Sequence, residues 1–146
     1  MTAHSHGAGD KKRTRQILTA GTVLMLIVSL ILTTLVIPLG GKIIALFGAG
    51  AEAVKIGSAF FVRIACFYPI FGLAMAFRGY LEGKSDLVYS STAGIVSLIV
   101  RIIASYAMVP FYGNMSIAYA EMLAWVWLLA MYLLRFAYKK RQASFA

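Results

Sequence analysis

Three ionisable side chains, Arg63, Arg101 and Glu121, sit inside long apolar runs. A charge at the centre of a lipid-embedded helix costs roughly 2.5–3.5 kcal/mol, so each is a candidate for a substrate or ion path. A carboxylate there can hold a proton or a cation. A guanidinium can hold an anion, or neutralise the carboxylate. Tyr68 is a fourth candidate, because Pro69 beside it interrupts a helix and can open a cavity. Catalytic chemistry has no comparable signal. There is no Gly-rich phosphate loop, no Cys-x-x-Cys and no His-Glu-x-x-His. The lone cysteine, Cys66, lies in an apolar run, and His4 and His6 lie on a polar tail that reads as disordered. The expectation is a non-enzyme with no bound cofactor or metal.

The elements that position these residues follow from composition. Hydrophobic residues make up 61% of the chain, charged residues 13%, and mean hydropathy is +0.82. Soluble domains carry about 25% charged residues, so water is not the solvent for most of this chain. A helix needs about 20 apolar residues to cross the hydrocarbon core. Four stretches meet or approach that length: 17–38, 56–78, 87–109 and 114–136. Only helices satisfy their own backbone in lipid without partners, which makes this an all-α membrane protein with four transmembrane helices. The domain runs over 17–138, between a polar basic tail at 1–16 and a basic tail at 139–146. The first apolar run exceeds the h-region of a signal peptide and reads as a retained span.

Helix ends are marked by Pro38 with Gly40 and Gly41, and by Pro110 with Gly113 and Asn114. The stretch from Lys42 to Lys55 reads as the longest loop, with one short interfacial turn. Pro69 is expected to kink the second helix. Small residues four apart (Gly72 and Ala76, Ser90 and Gly94, Ala93 and Ser97) suit close helix packing. Tyr132, Phe136 and Tyr138 fall where an interfacial aromatic belt would lie.

Orientation comes from the basic residues. With the N-terminus inside, ten Lys and Arg side chains flank the cytoplasmic ends, and only Lys42 and Lys55 flank the outer ends. This places both termini in the cytoplasm. It also accounts for the net charge of +9 without a nucleic-acid partner. Arg63, Arg101 and Glu121 then share a depth of roughly 10–12 Å below the outer boundary. Arg101 and Glu121 are equidistant from Phe111, so an antiparallel hairpin would set them side by side as an ion pair. The alternative is that each arginine snorkels separately to the interface.

The stretch Phe77 to Asp86 reads F-R-G-Y-L-E-G-K-S-D. With Leu46-Phe47-Gly48, Phe61-Val62-Arg63-Ile64, Val100-Arg101-Ile102, Ile117-Ala118-Tyr119-Ala120 and Trp125, it resembles the C-terminal helices of multidrug and toxic compound extrusion (MATE) transporters. The resemblance runs from about Gln16 to Arg141, with the polar start outside it. It implies that Arg78, Gly79, Gly83 and Asp86 form a cytoplasmic loop motif. It also implies that the four helices match the ninth through twelfth of a twelve-helix exporter in the plasma membrane. Such exporters drive organic cations or other small molecules outward with a sodium or proton gradient. The family's acidic cation site has no match here, because the helix of Arg63 carries no Asp or Glu within the span. The expected partners are the lipid bilayer, a small-molecule substrate, and the missing transporter helices or another copy or subunit. Two other functions remain open: a lipid-linked oligosaccharide flippase of the same superfamily, and a small membrane protein that binds or regulates another complex.

Overall fold

The computed structural model describes residues 11–145, so His4, His6 and the rest of the polar start lie outside it. The described residues form five helices: α1 (Lys11–Leu46), α2 (Ala51–Ala65), α3 (Tyr68–Gly83), α4 (Leu87–Tyr112) and α5 (Ser116–Phe145). A 3-10 turn, Gly113–Met115, joins the last two. There is no strand among them. The helices pack as a row. α1 lies against α2 and α3, α3 lies against α5, and α5 lies against α4.

The first helix is longer than expected. Pro38 and the two glycines do not end it, and α1 runs on to Leu46. A helix that stopped within lipid would leave several backbone groups unpaired, whereas an internal proline removes one donor. Gly40 and Gly41 serve packing instead. A Cβ on Gly40 would stand 2.8 Å from the Phe61 ring, and one on Gly41 would collide with the Ser58 hydroxyl. The glycines therefore let α2 lie close along α1. The long loop contracts accordingly to residues 47–50, turned by Gly48 at φ +76°.

The second span is broken rather than kinked. α2 and α3 meet at Cys66 and Phe67 with a bend of 51°. Pro69 occupies the first turn of α3, where a missing N–H costs nothing to that helix. The loss falls on the Ala65 carbonyl, four residues earlier. The Thr33 hydroxyl of α1 lies 2.8 Å from that carbonyl and 2.8 Å from the carbonyl of Ser29. A neighbouring helix thus supplies the donor that proline removes.

The α3–α4 turn is a Schellman motif. The Asp86 N–H bonds the Leu81 carbonyl, the Ser85 N–H bonds the Glu82 carbonyl, and Ser85 takes φ +62°. Arg78 and Gly79 are helical, Gly83 is the last residue of α3, and Asp86 alone of the four lies in the turn. The α4–α5 connection reverses the chain completely. Its cross-links join 86 to 135, 90 to 132, 97 to 124 and 101 to 121. Residue numbers across the seam sum to nearly the same value, as an antiparallel hairpin requires. The apolar stretch Leu87–Gln142 is therefore two limbs, each long enough for a membrane.

The core lies where α3, α4 and α5 meet, around Ala74, Leu81, Ala93, Leu128 and Tyr132. Tyr132 is fully buried, so it belongs to this core and not to an interfacial belt. Ser90, Ala93 and Ser97 are buried on the α4 seam, as their spacing suggests, whereas Gly94 faces open space. The outer faces of α1 and α4 expose Leu24, Leu30, Ile31, Ile95, Ile102 and Ile103. Apolar area on that scale is stable only against lipid or further helices.

Thr33 and Pro69 should be energetically coupled. Thr33→Val is expected to destabilise the fold by about 1–3 kcal/mol, by leaving the Ala65 carbonyl unpaired. In a Pro69→Ala background the restored N–H can bond that carbonyl, and the same change should cost much less. Thermal unfolding of the four proteins in detergent reads this coupling. Equal costs in both backgrounds would disprove it.

Candidate functional site

Polar groups are concentrated at three levels of the bundle. At the end carrying the α3–α4 turn, Asp86 is clasped by α5. Its carboxylate accepts from Arg135 Nε at 2.8 Å and Nη2 at 3.1 Å, and from Lys139 Nζ at 2.9 Å. The fork-on-fork geometry with arginine adds specificity to the charge interaction. The Arg135 hydrogen bonds, then those of Lys139, hold the Asp86 carboxyl at about 2, against burial, which pushes it upward. Beside it, Arg78 Nε donates to Glu82 at 2.7 Å, and the Ser90 hydroxyl donates to the same carboxylate oxygen at 2.9 Å. α3, α4 and α5 are tied together at this end through Glu82 and Asp86.

The middle level is nearly neutral. The Tyr132 hydroxyl bonds the Ser90 carbonyl, Tyr89 bonds the Met131 carbonyl, and Ser97 bonds the Ala124 carbonyl. These are side chains of one limb bonding to the backbone of the other. Among the described residues, no buried side-chain nitrogen or oxygen lacks a partner.

At the third level, toward the hairpin turn, Arg101 Nη1 donates to Glu121 Oε2 at 2.8 Å. The pair expected from the mirror spacing forms. Glu121 is well covered, while Arg101 is half-exposed. Arg63 stands apart from it. Its Nε donates to the Tyr119 hydroxyl at 3.3 Å and its Nη1 to the Ala59 carbonyl at 3.0 Å. Among the described residues no carboxylate reaches it. A partner for Arg63 was not legible in the sequence, because α2 and α5 are distant in the chain. The same is true of Asp86 and Arg135.

A groove of about 270 Å³ opens beside this arginine. It is lined by Phe67, Met108, Tyr112, Tyr119, Met122 and Val126, among others. Phe67 belongs to the break between α2 and α3. Tyr112 and Tyr119 sit with ring centroids 4.4 Å apart at its hairpin end. Tyr68, expected to line a cavity at the kink, instead packs its ring on Trp125 at 6.0 Å, with Phe71 on the same indole at 4.9 Å. The groove is thus lined by apolar side chains and two tyrosines, and Arg63 reaches it through its bond to the Tyr119 hydroxyl. No group of three or more His, Cys, Asp or Glu side chains is placed to hold a metal among the described residues.

Two measurements test these contacts. Removing either partner of the Arg101–Glu121 pair leaves a lone charge in an apolar setting, which costs about 3 kcal/mol. Arg101→Leu and Glu121→Leu should each lower the yield of folded protein in detergent, and the double variant should recover most of the loss. Simple addition of the two effects would mean no contact. For Asp86, a folded-state pKa below the unfolded value contributes stability that is complete above about pH 4. That contribution is lost as pH falls through about 2. Melting temperatures of the parent should drop across this window, and those of Asp86→Asn should start lower and drop less.

Comparison with known proteins bears on this geometry. The family model described as MatE matches residues 1–107. The match takes in the polar start, where no resemblance was expected, and ends at Ala107, before α5. No curated protein and no solved structure gives a significant match. Most of the chain lies within the family model, and the described residues are helical, with apolar stretches long enough to cross a bilayer. The chain therefore belongs to the MatE family of membrane transporters.

Proposed function

We propose that this chain is the C-terminal four-helix part of a MATE-type exporter that expels organic cations or other small molecules, with both termini in the cytoplasm. The carrying observation is the polar ladder that ties α4 to α5 at both ends and joins α3 to them at the end of the α3–α4 turn. Alternating access requires units that rock against one another around a site near the midplane. A row of helices with two bare apolar faces supplies one such surface and needs others opposite. The sodium or proton gradient that drives export would then be read elsewhere. Glu82, Asp86 and Glu121 are each held in an ion pair, which leaves them poorly suited to bind a coupling cation.

One observation favours a second reading. Arg63 bonds a tyrosine that lines an apolar groove, and among the described residues no carboxylate pairs with it. That chemistry suits an anionic substrate, as a lipid-linked oligosaccharide flippase of the same superfamily would carry.

The test has two parts. With Cys66 replaced by Ser, a cysteine at Gly50 should react with an impermeant thiol reagent on intact cells, and cysteines at Ser85 or Ser144 should not. In a host without drug pumps, the chain alone should leave ethidium accumulation unchanged. Joined to the first eight helices of a MATE transporter in place of that transporter's own last four, it should restore export that stops when the ion gradient is collapsed. Export by the chain alone, or labelling of Ser85 from outside, would overturn the proposal.

A further inference from the structure

We propose that the groove beside Arg63 is a binding site for one membrane phospholipid with a net-negative headgroup, in the leaflet at the α4–α5 hairpin end. The inference rests on the groove's geometry and not on transport.

Three observations point to this occupant. The first is charge. Arg63 meets no carboxylate among the described residues, while Arg101 and Glu121 neutralise each other. Lys42, Glu52 and Lys55 lie near the same end of the bundle, so its net charge is positive. The second is polarity along the groove. Arg63 touches it through Tyr119, at the hairpin end, and the Tyr112 ring packs at a tilt on Tyr119 there. Val126 and Phe67 mark its other end, about 10 Å deeper along α5. A headgroup phosphate at the tyrosines and an acyl chain running inward match this order. A soluble anion would leave the apolar length unfilled, and an organic cation would meet a like charge.

The third observation is the direction of the arginine. Its Nη1 reaches back to the carbonyl of Ala59, one turn nearer the start of α2. The side chain snorkels toward the headgroup region while its stem stays in the apolar layer. The remaining guanidinium nitrogen, Nη2, makes no hydrogen bond to the described residues. Guanidinium and two tyrosine hydroxyls are donors suited to phosphate oxygens.

Tryptophan quenching tests the site. The full chain, with Trp127→Phe so that Trp125 reports alone, is placed in phosphatidylcholine vesicles containing either brominated phosphatidylglycerol or brominated phosphatidylcholine at equal fraction. Quenching should favour phosphatidylglycerol by about fivefold in relative binding constant, the effect of one basic residue near an anionic headgroup. Arg63→Gln should bring the preference close to one, and Arg63→Lys should keep part of it. Circular dichroism checks that each variant folds. Should Arg63→Gln lose its helices, Val126→Phe decides: filling the groove should abolish the preference with the charge intact. Equal quenching by the two lipids in the parent, or a preference unchanged in the deciding variant, overturns the assignment. Loss of the preference on adding millimolar inorganic phosphate, but not equimolar sodium chloride, would mean a soluble-anion site and overturns it as well.

Discussion

A hydrocarbon layer offers no hydrogen bonds, and this molecule is organised around that constraint. Every polar side chain placed on the α4–α5 seam must find its partner across the seam. Asp86 finds Arg135 and Lys139, Ser97 finds the Ala124 carbonyl, and Arg101 finds Glu121. Between them Ser90 and Tyr132 pack at the centre of the apolar core. Because the partners match at several levels, sliding one helix by a turn would break all of them together. The seam fixes register as well as adhesion, which van der Waals contact between apolar helices does weakly.

The same constraint shapes the break at Cys66 and Phe67. Proline takes away one donor in a region without water. The structure answers with Thr33 from α1, and with two residues that let the chain turn through 51°. The bend has a second effect. It brings α3 against α5 while both α2 and α3 stay against α1, and it places Phe67 at the groove over α5. Phe67 of the interruption lines the groove, and Arg63, on the helix just before it, reaches the groove through Tyr119.

Charge is distributed in a way that bears on transport. At the α3–α4 end, acids are clasped between basic side chains. At the hairpin end, Glu121 is already neutralised by Arg101, and among the described residues no carboxylate compensates Arg63. A surface of this kind favours an anion over a cation. The bare apolar faces of α1 and α4 at the two edges of the row are where lipid or further helices must lie.

How much of this was legible beforehand depended on distance in the chain. Helical class, membrane solvent and the limits of α4 and α5 follow from apolar length and backbone satisfaction, which are local properties. The Arg101–Glu121 pair was also legible, because a tight turn maps sequence distance onto space by simple reflection. The fate of Pro38, Gly40 and Gly41 was not. The same residues break a helix in water and pack one in lipid, and only the presence of Ser58 and Phe61 opposite decides between the two. Tyr132 looked like an interfacial aromatic until the α3–α5 contact buried it. The partners of Asp86, Ala65 and Arg63 come from helices 49, 32 and 56 residues away. No periodicity encodes such pairings. They are set by which helices become neighbours, and that is decided by the whole bundle at once.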